Sequence, residues 1–284
     1  METLDFSVLM TTYHGEKPEH LDASLDSILV NQTRIPNQMV LVVDGPISQE
    51  LDEVIVKYKN LFPDILEVVY CAENRGQSKA SAEGFQYLKN EIFARMDSDD
   101  LCVRDRFEKQ IEVFQNNPEI GVVGGWIAEF DDDWQTPHSL RSVPETHEEI
   151  IKTFRKRNPI NNMTAMLKKS EVERAGGYGR DTVNEDYSLY VHMWVNGTIF
   201  YNVQEVLCYV RVGNGMVGRR NDFRIYKDWR KDQKYLHENH KHSAFTCFKS
   251  NFRCFMFVIT PRWVKKLLYK TVLRKPVSKK EKKS

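Results

Sequence analysis

Residues 92–101, IFARMDSDDL, decide how the fold is read. A short apolar run ends on Asp97, Asp99 and Asp100, so three carboxylates fall within four positions. Carboxylates this close repel one another, and each prefers its own water shell. Two explanations stand open. The loop is a solvated acidic turn that caps the next helix, or it is a cluster whose repulsion a divalent cation cancels.

The flanking segments make the run a strand in a repeating pattern. Apolar runs at 6–13 (FSVLMTTY), 38–44 (QMVLVVD), 65–71 (ILEVVYC), 92–96 and 120–130 (IGVVGGWIAEF) alternate with amphipathic stretches at 17–32, 48–60, 78–90 and 104–117. In the first amphipathic stretch Leu21, Leu25, Ile28 and Leu29 recur at helical spacing, and Pro18 suits a helix start. Ser48 suits an N-cap of the second. Continuous Val/Ile/Leu strands alternating with such helices imply a parallel sheet covered on both faces. Ligands of these sheets bind beyond the carboxyl ends of the strands. Polar residues gather at those ends: Thr11, Thr12 and Tyr13, then Asp44 and Gly45, then Asn74, Arg75 and Gly76, then the aspartates. Four clusters converging on one edge favour the acidic loop as part of a site over a stray solvated turn.

The second half is less regular. Residues 161–179 read as a strand, a short helix and a glycine turn, and 184–197 (NEDYSLYVHMWVNG) as a helix opening on Glu185 and Asp186. Carboxylates there also suit the positive end of the helix dipole. Residues 198–203 and 205–212 read as a strand pair, and the chain from Asn221 as helical, then basic. Trp194, at helical spacing from Tyr187 and Tyr190, is expected in the core.

Composition narrows the class. The 284 residues are 41% hydrophobic and 29% charged, ordinary for a globular protein, and a net charge of +1 gives no field for nucleic acid. The five cysteines form no CxxC pair, which argues against a disulfide framework or structural zinc and for a reducing, cytoplasmic compartment. The eight histidines show no HExxH spacing. The start, METLDFSVLM, lacks the features of a signal peptide, and no apolar run is long enough to span a bilayer.

The DSD triplet, with FSVLMTTYHG, LVVDGP, NRGQSKASAEG, GGY and NEDYSLYVHMWVNG in this order, resembles the inverting family 2 glycosyltransferases, including bacterial capsule and exopolysaccharide sugar transferases. The resemblance runs from about Phe6 to Arg211. It implies a GT-A α/β fold, a mixed sheet flanked by helices. The glycosyltransferase domain would span 1–218, its nucleotide-binding half about 1–100 and its acceptor half about 101–218. Residues 219–284 would form a helical, basic C-terminal extension. It also implies a Mn²⁺ or Mg²⁺ cofactor, with Asp99 as direct ligand and Asp97 contacting the metal through water or the ribose. Hard cations take oxygen ligands and need few carboxylates when phosphates supply the rest. Asp100 is free to cap the following helix instead.

By the same resemblance Thr11, Tyr13, Asp44, Asn74, Gly76, Lys79, Asp97 and Arg211 would bind the nucleotide sugar, a UDP- or dTDP-sugar. Asp186 would be the catalytic base that takes the acceptor proton, with Glu185 its neighbour. Trp134 and Asn162 are acceptor-site candidates. The chain departs from the common pattern twice. Asp44 stands alone where two acids are frequent, and Asn162 follows Asn161 where relatives often carry histidine, so no titrating group stands there. The Gln-x-x-Arg-Trp motif of processive synthases is absent, which implies one sugar per event. Two rivals remain, a sugar nucleotidyltransferase and an inactive saccharide-binding protein. The first lacks its glycine-rich signature in TTYHGEKPEH, and the intact acidic residues weigh against the second.

The tail at 260–275, TPRWVKKLLYKTVLRK, sets Trp263, Leu267 and Val264 or Leu268 near one face among basic residues. From 262 to 284, ten Lys/Arg oppose one acid, Glu281. It reads as a basic amphipathic helix on an anionic membrane surface, or as a helix packed on the domain with a lysine-rich end. The resemblance favours a lipid-linked saccharide acceptor and a peripheral place at the inner face of the plasma membrane.

Overall fold

The computed structural model describes residues 4–180, 182–212, 223–261 and 264–265. Its first third follows the alternation of the sequence: β1 (Phe6–Tyr13), α1 (Pro18–Leu29), β2 (Gln38–Asp44), α2 (Gln49–Leu61), β3 (Leu66–Tyr70), α3 (Gln77–Phe85) and β4 (Ile92–Asp97). Pro18 occupies the first turn of α1, where its missing N–H leaves no bond unmade. Ser48 caps α2, its hydroxyl accepting the Leu51 N–H at 3.3 Å. The four strands lie parallel in the order β3-β2-β1-β4. Alternate residues of each strand feed two apolar layers. Val8, Met10, Leu41 and Met96 pack with α1, α2 and the later helix α4, while Leu9, Val40, Val42 and Phe93 pack with α3.

Beyond β4 the sheet turns mixed. The remaining elements are β5 (Leu101–Cys102), α4 (Arg106–Asn116), β6 (Ile120–Phe130), β7 (Ser139–Arg141), α5 (His147–Thr153), a 3-10 turn (Asn162–Thr164), β8 (Met166–Lys168), α6 (Lys169–Arg174), α7 (Glu185–Val195), β9 (Ile199–Arg211), α8 (Phe223–Glu238) and α9 (Ala244–Ile259). β8 runs antiparallel between β4 and β6, β9 pairs parallel with β6, and β5 pairs antiparallel with β9. The expected strand pair at 198–212 is one strand, β9, corrected here. Its register against β6 jumps from Gly125↔Val203 to Trp126↔Val206, so a bulge at Gln204 and Glu205 breaks the apolar run without turning the chain. The third helix also ends earlier than expected, at Phe85.

Trp194 is buried and stacks on Phe154, with ring centroids 5.4 Å apart. α8 packs on α7: Trp229 stacks on Tyr187 at 4.4 Å, and Ser188 Oγ donates to Asp232 Oδ1 at 2.9 Å. α9 packs on α8, the Trp229 indole N–H donating to Ser250 Oγ at 3.0 Å. Among the described residues no helix is long and apolar enough to cross a membrane. Trp263, Leu267, Leu268 and most of the expected tail helix lie outside the described residues.

Candidate active site

Strand register builds the site. Thr11 pairs with Asp97 and Tyr13 with Asp44, so the polar ends of β1, β2 and β4 stand level at one sheet edge. They open into a cavity of about 1040 Å³ lined by Thr11, Tyr13, Asp44, Asn74, Gly76, Asp97, Asp99 and Arg211, among others. A second cavity of about 470 Å³ adjoins it, lined by Lys79, Arg95, Asn162, Tyr178, Glu185 and Asp186, among others. Gly76, Gln77, Asp97 and Met163 line both. The structure thus brings the two acidic pairs, distant in sequence, into adjoining cavities that share Asp97.

In the first cavity Asp44 is buried and both its carboxylate oxygens are engaged. Oδ1 accepts the Arg75 N–H at 2.9 Å and Oδ2 the Gly76 N–H at 2.8 Å, while Asn74 Nδ2 donates to the Asp44 carbonyl at 3.1 Å. Asp44 therefore fastens the 74–76 loop to the end of β2. Gly45 (φ +88°) lies under that loop, where a Cβ would meet Asn74 N at 2.5 Å. Gly76 (φ +87°) has open space where a Cβ would stand, at the start of α3.

The aspartates divide their tasks. Asp100 is buried, and its Oδ1 accepts the Arg211 N–H at 2.9 Å, joining the acidic loop to the end of β9. It does not cap α4, whose N-cap is Asp105; the expectation of a capping Asp100 is corrected. Asp97 and Asp99 line the first cavity. Burial pushes the Asp97 carboxyl above its ordinary value; Arg95 opposes this, and Asp186 adds to it. Burial, then the neighbouring Asp97 and Glu16 charges, pushes Asp99 up to about 6. Two hard carboxylates whose charges are disfavoured by desolvation and mutual repulsion suit a hard divalent cation completed by phosphate oxygens. Among the described residues, no three His, Cys, Asp or Glu side chains form a metal cage by themselves. Arg211 packs its guanidinium 4.7 Å from the Phe130 ring, and its Nη1 donates to the Asp131 carbonyl at 3.4 Å.

In the second cavity Glu185 and Asp186 occupy the first turn of α7. Asp186 Oδ2 accepts from Asn158 Nδ2 at 2.7 Å. Burial pushes Glu185 up to about 7, with Arg95 opposing and Asp186 reinforcing. Asn162 turns its Oδ1 to the Tyr190 hydroxyl at 3.0 Å. Trp134 stands elsewhere: it is exposed, packs on Tyr209 with centroids 5.2 Å apart, and follows Asp131 and Asp132 of the first cavity's rim.

Sequence reasoning missed three residues. Arg95 is 2% exposed at the centre of β4, its Nη1 donating to the Leu9 carbonyl at 3.4 Å. A charge inside an apolar strand was its signal. Glu16 accepts the Ser98 hydroxyl at 2.5 Å, tying the loop after β1 to the acidic loop. Asn158, the partner of Asp186, lies in a loop with no local pattern to mark it.

Comparison with known proteins identifies the family and the fold. The family model "Glycosyl transferase family 2" matches residues 7–172. The amylovoran biosynthesis glycosyltransferase AmsE of Erwinia amylovora is 36% identical over 222 residues, 78% of this chain and 82% of that one. The UDP-Gal:alpha-D-GlcNAc-diphosphoundecaprenol beta-1,3-galactosyltransferase of Escherichia coli is 29% identical over 278 residues, 96% of this chain and 98% of that one. The crystal structure of S. aureus TarS superposes with a TM-score of 0.67 at 16% identity, covering 95% of this chain. This chain spans 46% of the TarS length, and the likeness is one of GT-A fold.

Proposed function

The chain belongs to glycosyl transferase family 2, and on that premise we propose that it moves one sugar per event, with inversion, from a nucleoside-diphosphate sugar to a lipid-linked saccharide in bacterial surface-polysaccharide assembly. One observation carries the reading: two cavities meet at Asp97, with Asp97 and Asp99 on one side and Glu185 and Asp186 on the other. A displacement needs that division, because the leaving diphosphate and the attacking hydroxyl occupy opposite faces of the anomeric carbon. The names of the two sequence relatives, one in amylovoran biosynthesis and one acting on a diphosphoundecaprenol-linked sugar, support the acceptor class.

In this reading Thr11 and Tyr13 wall the nucleoside. Asp44 acts through the loop it fastens, holding Asn74 and Gly76 where the diphosphate passes. Lys79 and Arg211 offset phosphate charge. Asp97 and Asp99 would hold a Mn²⁺ or Mg²⁺ ion, which stabilises the negative charge on the leaving diphosphate. Asp186 takes the acceptor proton. Its Oδ2 accepts from Asn158, which orients the carboxylate. Glu185 and Asn162 hold acceptor hydroxyls. Arg95, buried between the carboxylate pairs, offsets their repulsion.

The test is release of nucleoside diphosphate from a panel of UDP- and dTDP-sugars, supplied with polyprenyl-diphosphate saccharides and with or without Mn²⁺. Turnover of one donor, dependent on metal and acceptor, with an inverted anomeric centre by NMR, is expected. A product that retains the donor configuration would overturn the mechanism, and no turnover with any donor would overturn the function.

A further inference from the structure

We propose that the outer face of α9 is a membrane-docking surface that seats the protein on anionic lipid. α9 is apolar on two opposite sides. Inward, Cys247, Ser250 and Val258 are buried against the domain, and Ser250 accepts the Trp229 indole N–H. Outward, Phe245, Phe248, Phe252, Met256 and Ile259 are 65%, 67%, 58%, 45% and 52% exposed. Steps of three and four residues put these five on one stripe along the helix. A surface helix of a globular protein ordinarily turns charged and polar side chains to water, and a helix apolar all round belongs in a core or in lipid. A contiguous stripe of aromatic rings in solvent marks an unfilled contact.

Charge selects the occupant. α9 carries Lys249 and Arg253, both exposed, and no acid; Lys249 Nζ lies 4.2 Å from the Phe245 ring centroid. From 239 to 284 the sequence has thirteen Lys/Arg, the ten after 261 together with Lys241, Lys249 and Arg253, against Glu281 alone. Rings at the acyl boundary with cations among lipid phosphates match such a face. A symmetric pairing of two copies through α9 would instead set Lys249 and Arg253 against like charges. The docking face is also tied to the site. Ser250 holds Trp229 of α8, and Trp229 stacks on Tyr187, the residue after Asp186. A seated α9 therefore fixes the height of α7 above the bilayer, where a lipid-borne acceptor presents its sugar.

The test is co-sedimentation of the full chain with phosphatidylcholine vesicles, with and without phosphatidylglycerol. It needs no donor, so it stands apart from sugar transfer. Binding to the phosphatidylglycerol vesicles, weakened by salt, is expected. The Phe248→Asp/Phe252→Asp variant should lose about tenfold or more of it, with melting temperature unchanged because both rings face solvent. Lys249→Glu/Arg253→Glu, a second variant that leaves the apolar stripe intact, should weaken binding and flatten its salt dependence. Equal binding by wild type and the phenylalanine variant overturns the proposal, as does no binding of the wild type to anionic vesicles. A dimer in solution that the phenylalanine variant turns to monomer, with vesicle binding unaltered, would assign the face to self-association instead.

Discussion

Arg95 Nη2 stands 3.9 Å from Asp97 Oδ1, two positions along β4, with the arginine buried and the aspartate at the cleft. The guanidinium also draws down the carboxyl of Glu185 across the cleft. Its removal leaves buried carboxylates without their cation. Arg95→Met is expected to destabilise the fold by about 3 kcal/mol, read as a lower denaturation midpoint, and to abolish transfer. Arg95→Lys should restore little, since a point charge does not reproduce the planar fork.

Asp99 gives a binding prediction. A ligand that binds only the folded state raises the melting temperature. Wild type should shift with one nucleoside diphosphate in the presence of Mn²⁺ and much less without it. Asp99→Ala should lose the metal-dependent part while retaining its own unliganded melting temperature within a few degrees. An equal Mn²⁺-dependent shift in both proteins would remove Asp99 from the metal site.

Asp186 and Asn158 separate chemistry from binding. Asp186→Asn should lower the transfer rate by about 10²–10⁴-fold with nucleoside diphosphate affinity unchanged. Asn158→Ala should lower kcat by roughly tenfold or more with a smaller change in KM, because it misorients the carboxylate without removing it. Full activity in Asp186→Asn would assign the base elsewhere.

Asp232 predicts a pH dependence of stability. Burial, chiefly, pushes its carboxyl up to about 7, against the hydrogen bond from Ser188. The folded state then holds a proton that the unfolded chain releases near pH 4. The contribution of this group is whole below about pH 4 and declines as pH rises toward about 7. Asp232→Asn keeps an acceptor for Ser188 and removes the titration. Between pH 5 and pH 8 the melting temperature of the variant should gain on wild type by about 2–5 °C. A constant difference across that range would refute the assignment.

The parallel half of the sheet was legible because its strands are unbroken apolar runs with polar ends, and register does the rest by levelling Thr11 with Asp97. β9 misled because its bulge carries Gln204 and Glu205, which in sequence look like a turn. β7 and α5, of three and seven residues, are too short to show a period. The acidic pairs were legible as motifs, but their meeting at Asp97 is a product of topology. Asp100 illustrates the limit. Its neighbours in sequence suggested a cap, while its bond goes to Arg211, 111 residues away. Glu16 and Asn158 likewise act through contacts that only the folded chain supplies.

The common wall of the two cavities is narrow, made of Gly76, Gln77, Asp97 and Met163. Such a wall makes the scaffold divisible in evolution and in engineering. On the proposed assignment, exchanges around Thr11, Tyr13 and the 74–76 loop would alter the activated sugar that is accepted. Exchanges along the first turns of α7 would alter the molecule that attacks it. Each side would then be free to drift while the other is held, so a new linkage would not require a new donor.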